Sequence, residues 1–444
     1  MTRDFRIGCG AGFSSDRLDP AVDLAVHGAL DVLVFECVGE RTLAFGHRDR
    51  QANPSGGYNP LLPRRMRAIL PLVFPDGPRI VTNMGVANPL AAAERTVAVA
   101  RELGLAGLKV AALIGDDIGA RLPAGTPLWE GKTLAEVGRP CIGANAYLGA
   151  EEILAALGTD AHVIITGRVA APSLFVAPPR WHFRWQADAW ASLGRATAVG
   201  HLLECGAQVT GGYFADPGYK DVGRQANIGF PYAEVGADGS ICVTKLPDTG
   251  GLVDERTVKE QLLYEVHDPA RYLTPDVTAD FSCARVVATG TDRVTVSDIS
   301  GSARPEQLKA TVAFDGGWLA EAAVSYAGDG AQDRAALAGE IVSERMRTVH
   351  DSRSDLRTDL IGAGSLHATA RRYAEAARDV RLRCALRTDS REEADLLLWE
   401  VESLLCCGPS GGGGYRGTVT PSVVTYSASV DRDLVTPRVE VLGT

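Results

Sequence analysis

The segment FRIGCGAGFSSDRLDPAVDLA at residues 5–25 decides the fold class of this chain. It begins as an apolar run, passes through Gly8, Gly10 and Gly12, and continues into an acid-rich stretch typical of a helix start near Asp19. A strand that turns through glycines into a helix is the first unit of a sheet flanked by helices. The segment therefore predicts an α/β protein.

The glycines of this segment leave two interpretations open. A dinucleotide-binding loop of the G-x-G-x-x-G type needs a glycine where Phe13 stands, so we do not expect NAD to bind here. The backbone N–H groups of the loop and of the helix start still favour an anion, which predicts substrate contacts at Gly10 and Gly12. The alternative is a tight turn that needs small residues for backbone clearance.

The pattern of the opening segment continues outward to about residue 215, where short apolar runs alternate with helical stretches. The helix that begins at Pro89 after Asn88 is typical of them. The runs predicted as strands are FRIGC, DVLVFEC, RIVTN, LKVAALIG, CIGANAY, AHVIITG and QVTGGYF. We expect a mainly parallel N-terminal sheet with flanking helices.

The alternation of strands and helices gives way to hairpins after residue 225, where FPYAEVGADGSICVTKL predicts a hairpin turning at residues 237–239. A chain of 444 residues is too long for one ordinary core, so two domains are expected. We predict an α/β domain over 1–278, with the hairpin as an extension, and an α+β domain over 279–444. Helices are predicted near 331–348 and 390–405, before a last pair of strands.

Composition and charge exclude several classes of protein. Hydrophobic residues make up 45% and charged residues 23% of the chain, as in a soluble globular enzyme. The N-terminus has no secretory sequence, and no apolar run is long enough to cross a bilayer, so we expect a cytoplasmic protein with no membrane partner. The net charge of -10, with scattered basic residues, argues against nucleic acid. We further expect a homo-oligomer.

Polar residues follow the predicted parallel strands at the points where those strands end. They are Cys9 with Gly10, Glu36, Asn83, Asp116 with Asp117, Asn145, and Arg168. Parallel sheets gather their ligands at this edge. A small anionic substrate could be held by Arg168 directly, or through a divalent ion on the three acids Glu36, Asp116 and Asp117. The alternative is that the acids cap the following helices.

The stretch GHLLECGAQVTGGYF places His201, Glu204 and Cys205 on one helix face at i, i+3 and i+4. They could form an acid–base histidine with its orienting carboxylate, a metal pair, or a thiolate activated by the histidine. The alternative is a half-buried helix end with a hydrogen-bonded histidine. Gly211 lies in the run predicted as the next strand, where it would let a ligand approach the backbone.

Several of these segments together resemble the acyclic terpene utilisation protein AtuA family. They are IGCGAGFSSDRLDPAVDLA, LVFECVGERTLA, ITGRVAAPSL, GHLLECGAQVTGGYF, TKLPDTGG, EQLLYEVHDPARYLTPDVTADF and GPSGGGG. The resemblance implies a role in the bacterial breakdown of branched terpenoid acids as CoA thioesters, and it carries over no catalytic residues. Longer members of the family add a small ferredoxin-like domain at the C-terminus, which leaves open two interpretations, a separate small partner of that kind or a divergent task.

The residues and the resemblance together predict an enzyme of small branched carboxylate or acyl-CoA metabolism. Lyase, hydratase or dehydratase chemistry is expected, in which one group moves a proton α to a carbonyl while a cation stabilises the enolate. We expect His201 to be the proton carrier. The alternatives are a thioester hydrolase using Cys205, and a non-catalytic subunit that binds an acyl ligand or assembles other enzymes.

Overall fold

The computed structural model describes residues 3–367 and 377–444. Its contacts divide the chain into two compact units, of which the first comprises residues 1–313 with 425–444 and the second comprises residues 314–424. The sequence predicts the boundary near residue 278 instead. The two divisions differ because strands after that position, at Arg285–Gly290 and Arg293–Ser297, extend the sheet of the first unit.

The described residues form strands and helices that are numbered here in chain order. The strands are β1 (Phe5–Ala11), β2 (Val32–Phe35), β3 (Arg79–Thr82), β4 (Lys109–Ile114), β5 (Cys141–Ala146), β6 (Val163–Thr166), β7 (Pro231–Val235), β8 (Ile241–Lys245), β9 (Tyr272–Leu273), β10 (Thr278–Asp280), β11 (Arg285–Gly290), β12 (Arg293–Ser297), β13 (Ser300–Ser302), β14 (Gln307–Ala327), β15 (Leu356–Ile361), β16 (Asp379–Thr388), β17 (Gly413–Asp431) and β18 (Arg438–Gly443). The helices are α1 (Asp19–His27), α2 (Glu40–Ala52), α3 (Leu62–Val73), α4 (Pro89–Glu102), α5 (Ala150–Leu157), α6 (Ser173–Phe183), α7 (Trp190–Leu203), α8 (Glu255–Leu263), α9 (Ala331–Thr348) and α10 (Arg391–Cys407).

The first unit is built on one large sheet with the strand order β11-β12-β8-β7-β1-β2-β3-β6-β4-β18. Its central strands β1, β2, β3, β6 and β4 run parallel to one another. Antiparallel strands flank this centre, with β7 pairing β1 and β18 pairing β4. The predicted α/β class is confirmed. A small antiparallel sheet of order β13-β10-β9 also belongs to this unit.

Helices cover both faces of the parallel centre, and the side chains of β2 show why. Val32 and Val34 point into a core shared with α5, α6 and α7. The intervening Leu33 and Phe35 point into a second core shared with α1, α3 and α4. Successive side chains of a strand face opposite sides, so a strand buried on both faces must be apolar throughout.

Most of the predicted elements are confirmed. Helix α4 begins at Pro89, with the Asn88 side chain accepting from the backbone of Ala91. Strands β7 and β8 form the predicted hairpin. Helices α9 and α10 occupy the ranges expected in the C-terminal part.

Two predicted strands of the parallel sheet are wrong. The run CIGANAY forms strand β5, but this strand lies outside the large sheet. The run QVTGGYF forms turns, which follow a 3-10 turn at Gly206–Gln208. The φ angles are positive at Gly206, just before the run (56°), and at Gly211 (100°) and Tyr213 (61°) within it. These angles make the chain turn, whereas a strand needs extended backbone.

The second unit is an α+β layer, as predicted for the C-terminal part. Its strands β15, β16 and the later part of β14 pair antiparallel. Helices α9 and α10 share one apolar core with this sheet, to which Val342 and Val401 contribute. Across the described residues of both units, every helix is too short or too polar to cross a membrane.

Candidate active site

A cavity of about 1600 Å³ opens in the first unit at the carboxyl ends of its parallel strands. Its wall includes the loop that follows β1, at residues 12–16, and the residues that follow β2, at 36–42. The loop after β6 contributes residues 168 and 170–172, and the end of α7 contributes Glu204 and Cys205. Ligands of α/β proteins bind at this edge of the sheet, so the cavity is the candidate active site.

The predicted site residues divide into two groups in the structure. Five of them line the cavity, namely Gly12, Glu36, Arg168, Glu204 and Cys205. The others lie outside its lining, namely Gly10, Asn83, Asp116, Asn145, His201 and Gly211. The second group is close to the first, and several of its members hold cavity residues in place.

Glu36 is a nearly buried carboxyl group on the cavity wall. Burial raises its pKa from 4.5 to about 7, against the opposing effects of a hydrogen bond from Asn83 and the charge of Arg168. The Asn83 Nδ2 donates to Glu36 Oε1 at 2.8 Å, and the backbone N–H of Val38 donates to the same oxygen at 3.2 Å. A carboxyl with this pKa exchanges protons readily at neutral pH.

Arg168 is a buried cation beside this carboxyl. Its Nη1 donates to the backbone oxygen of Val38, and its guanidinium carbon lies 3.8 Å from the centroid of the Tyr147 ring. Burial lowers the pKa of Arg168, but Tyr147, Glu40 and Glu36 outweigh that effect and raise it overall. Among the described residues, its buried Nε has no hydrogen-bond partner. Arg168 therefore keeps its positive charge and has one unused hydrogen-bond donor.

Three residues of the cavity wall were missed by the sequence reasoning, namely Glu40, Tyr147 and Lys309. Tyr147 donates its hydroxyl proton to Glu40 Oε1, and Lys309 Nζ donates to the same oxygen at 3.2 Å. Burial raises the pKa of Glu40, but Arg168, Tyr147 and Lys309 together lower it to about 2. Tyr147 is the last residue of the run CIGANAY, so its position at the end of a predicted strand was the one available signal.

Asp116 and Asn145 form a buried network behind Arg168. The backbone N–H of Arg168 donates to Asp116 Oδ2 at 2.7 Å, and Asn145 Nδ2 donates to the same oxygen at 2.8 Å. Asn145 Oδ1 lies 2.5 Å from His47 Nε2. Burial raises the pKa of Asp116. These two residues fix the loop that carries Arg168.

Asn83 holds Glu36 in place in a similar way. Besides donating to Glu36, Asn83 accepts at its Oδ1 a hydrogen bond from the backbone N–H of Cys37 at 2.7 Å.

The glycines near the cavity are required for backbone clearance. A Cβ on Gly12 would lie 2.2 Å from the backbone carbon of Cys205, and a Cβ on Gly10 would lie 2.7 Å from the Phe35 ring. The N–H of Gly12 donates to Asp16 Oδ2 at 3.0 Å, so a carboxylate of the protein already uses this donor. A Cβ on Gly211 would lie 2.8 Å from Val222. The clearance alternative therefore accounts for Gly10 and Gly12, and the same steric requirement holds at Gly211.

The HLLEC stretch contributes to the cavity through Glu204 and Cys205, while His201 is only 1% exposed. His201 Nδ1 lies 3.2 Å from Glu204 Oε1 and 3.3 Å from the Tyr272 hydroxyl. Burial and the neighbouring Glu204 raise the pKa of Cys205 to about 12. Its sulfur is therefore a protonated thiol at neutral pH.

The acids considered for a divalent ion are held by the protein itself. Asp117 pairs with Arg50 at 3.3 Å, whereas Glu36 and Asp116 accept the hydrogen bonds described above. In the parts of the chain that the structure describes, no group of three or more histidine, cysteine, aspartate or glutamate side chains is arranged to hold a metal ion.

The fold and the site define an α/β protein whose sheet edge carries a buried carboxyl of raised pKa beside a fixed guanidinium. The family model described as acyclic terpene utilisation family protein AtuA matches residues 5–441, so the chain belongs to that family. The resemblance drawn from the sequence is thus confirmed, and it is consistent with a metabolic role. Neither the comparison with curated proteins nor the comparison with solved structures gives a significant match.

Proposed function

We propose that the cavity is the active site of an enzyme that moves a proton α to the carbonyl of a small branched carboxylate or its thioester. Proton removal at this position is the shared step of hydratase, dehydratase and many lyase reactions. The observation that carries the proposal is Glu36, whose pKa of about 7 suits a proton carrier on the wall that also holds Arg168. Glu36 takes the role that the sequence suggested for His201.

Each charged group near Glu36 has a distinct role in this scheme. The Glu36 carboxylate accepts the α proton, and the fixed charge of Arg168 stabilises the enolate oxygen that forms. Lys309 supplies a second cation on the same cavity wall. Burial alone would lower the pKa of Lys309, but Tyr147 and Glu40 outweigh this effect and raise it. Because all three groups are held by neighbours, little reorganisation is needed at the moment of reaction.

The charges on the cavity wall indicate which part of a thioester substrate enters the cavity. Among the described lining residues, three carry positive charge, namely Arg41, Arg168 and Lys309. Seven lining residues carry carboxyl groups, namely Asp16, Glu36, Glu40, Glu204, Glu265, Glu306 and Asp431. This excess of acids repels the phosphates of a CoA nucleotide. We therefore propose that the acyl and pantetheine parts of a thioester enter the cavity while the nucleotide stays outside.

The size and rim of the cavity suit such a ligand. Its volume of about 1600 Å³ exceeds the roughly 300–1,000 Å³ of a site for a drug-sized molecule. Phe13, Tyr213 and Leu273 line it with more than half of their surface exposed. These side chains offer an apolar surface to a branched acyl chain.

The thioester hydrolase alternative is weaker on physical grounds. A cysteine nucleophile reacts as the thiolate, and the raised pKa of Cys205 keeps its proton in place. A cytoplasmic location, a homo-oligomer and a small ferredoxin-like partner remain predictions from the sequence.

The proposal is tested by deuterium exchange. The protein is incubated in D₂O with 3-methylbutanoyl-CoA, with the N-acetylcysteamine thioester of the same acid, and with free 3-methylbutanoate, and the α-proton signal is followed by NMR. We expect exchange with both thioesters, and a loss of about 10²- to 10⁴-fold in Glu36→Gln. The exposed Glu94 provides the matched control Glu94→Gln, which should leave the rate unchanged. Binding of a thioester without any exchange would instead favour the non-catalytic subunit.

A further inference from the structure

We infer that the Tyr272 hydroxyl is a hydrogen-bond donor to a substrate oxygen, and that His201 and Glu204 orient it toward the cavity. The inference rests on the proposed function, because it assigns a second contact within the same active site. Tyr272 and Glu204 both line the cavity, whereas His201 lies outside the lining and contacts both of them.

One ring nitrogen of His201 faces two oxygens. His201 Nδ1 lies 3.2 Å from Glu204 Oε1 and 3.3 Å from the Tyr272 oxygen. An ionised carboxylate can only accept a hydrogen bond, so the contact with Glu204 requires a proton on Nδ1. The Tyr272 oxygen can then only accept from the same N–H. Its own proton is left free to point into the cavity.

The packing around His201 keeps this arrangement fixed. The imidazole lies against Tyr272 and Phe281, with ring centroids 5.0 Å and 5.9 Å away. The backbone oxygen of His201 accepts from Gln261 Nε2 at 3.1 Å. Within the described residues, the buried Nε2 of His201 has no hydrogen-bond partner. An unpartnered N–H would be costly there, which further favours placing the single proton on Nδ1.

The chemistry of Tyr272 fits a donor that keeps its proton. Burial raises the pKa of Tyr272 well above its ordinary value, and the charge of Glu204 adds to this effect. The phenol therefore stays intact and stabilises a substrate oxygen by hydrogen bonding, without transferring its proton. Such a donor favours substrates that carry a carbonyl or hydroxyl oxygen at this position. In this scheme, His201 is a positioning residue that acts through Tyr272.

The first test needs no ligand. Nitrogen-15 NMR of histidine-labelled protein reports which ring nitrogen carries the proton, and the His201→Gln variant identifies the His201 signals among the eight histidines. We expect the proton on Nδ1. A proton on Nε2 alone would overturn the inference.

The second test is a double-mutant cycle with the deuterium-exchange assay and the N-acetylcysteamine thioester as probe. Tyr272→Phe should slow exchange by about tenfold or more, since a hydrogen bond to developing charge is lost. His201→Gln should slow it in the wild type but add little when Tyr272 is already Phe. Tyr219→Phe, which removes the hydroxyl of an exposed tyrosine outside the cavity lining, should leave the rate unchanged.

The outcomes separate the two proposals. Unchanged exchange in Tyr272→Phe, or fully additive effects of the Tyr272 and His201 substitutions, would overturn the inference while leaving the proposed function intact. Absence of exchange in the wild type would remove the proposed function and with it the substrate contact of Tyr272. The NMR result would then still decide whether His201 holds its proton toward Glu204.

Discussion

The pKa of Glu36 arises from where its side chain lies, and the sequence contains only part of that information. The apolar run before Glu36 predicted an acid at the end of a strand, and β2 ends at Phe35 as that run requires. The depth of burial that raises the pKa to about 7 depends on packing from other strands and helices. Sequence reasoning could therefore find the residue but could not rank it above His201.

The raised pKa of Glu36 predicts a pH-dependent loss of stability. The folded state holds this proton more tightly than the unfolded state, so the contribution of Glu36 is fully present below about pH 4.5 and is lost as the pH rises through about 7. Glu36→Gln removes this loss. Relative to wild type, the variant should gain on the order of 3 kcal/mol in free energy of unfolding between pH 4.5 and pH 8.

Urea denaturation of both proteins at the two pH values measures this difference. The Glu94→Gln variant is the control and should change equally little at either pH. A difference between wild type and Glu36→Gln that does not vary with pH would show that Glu36 titrates normally.

Lys309 allows the role of the positively charged groups on the cavity wall to be tested without disturbing the core. Arg168 is buried and stacked on Tyr147, so Arg168→Ala should lower the melting temperature as well as ligand affinity. The half-exposed Lys309 should tolerate Lys309→Ala within about 0.5 kcal/mol of wild-type stability. Calorimetry with 3-methylbutanoate should then show about tenfold weaker binding. Equal affinity in the two proteins would exclude Lys309 from the binding site.

At the scale of elements, the sequence predicted correctly the strands that are buried on both faces. The strand prediction failed where the backbone forms turns. Strand β2 is apolar at every position and β6 at its first three, which is the pattern of a central parallel strand. The run CIGANAY has similar residues, but nothing in it says which strands it will pair with. The run QVTGGYF shows the opposite failure, since the positive φ at Gly211 and Tyr213 arises in turns that its composition does not reveal.

The loop after β1 and the end of α7 pack so closely that one methyl group should disturb both. Gly12→Ala would place its Cβ 2.2 Å from the backbone of Cys205, so we expect a loss of about 1–3 kcal/mol or more in stability. Gly39→Ala is the matched control in another cavity loop, because its Cβ would meet nothing among the described residues within 4 Å. Thermal unfolding of the two variants measures the contrast. Equal melting temperatures would contradict the close packing.

At the scale of the whole molecule, the site is assembled from segments that are far apart in the sequence. Strand-end residues such as Glu36 and Arg168 could be predicted, because parallel strands bring their carboxyl ends to one edge. Lys309 could not be predicted, since it reaches Glu40 through tertiary packing of a segment that follows every strand of the large sheet except β18. The network around Asp116 was predicted as part of the substrate site, whereas the hydrogen bond that Asp116 accepts from the backbone N–H of Arg168 makes it a support for that site.

The most direct measurement of the central claim is the pH dependence of deuterium exchange at the α carbon of 3-methylbutanoyl N-acetylcysteamine thioester. If Glu36 is the base, the wild-type rate should rise with pH and level off with an apparent pKa of about 7, and Glu36→Gln should stay near the uncatalysed rate throughout. A wild-type rate that does not change between about pH 5 and pH 9, or a Glu36→Gln variant that exchanges as fast as wild type, would contradict the account.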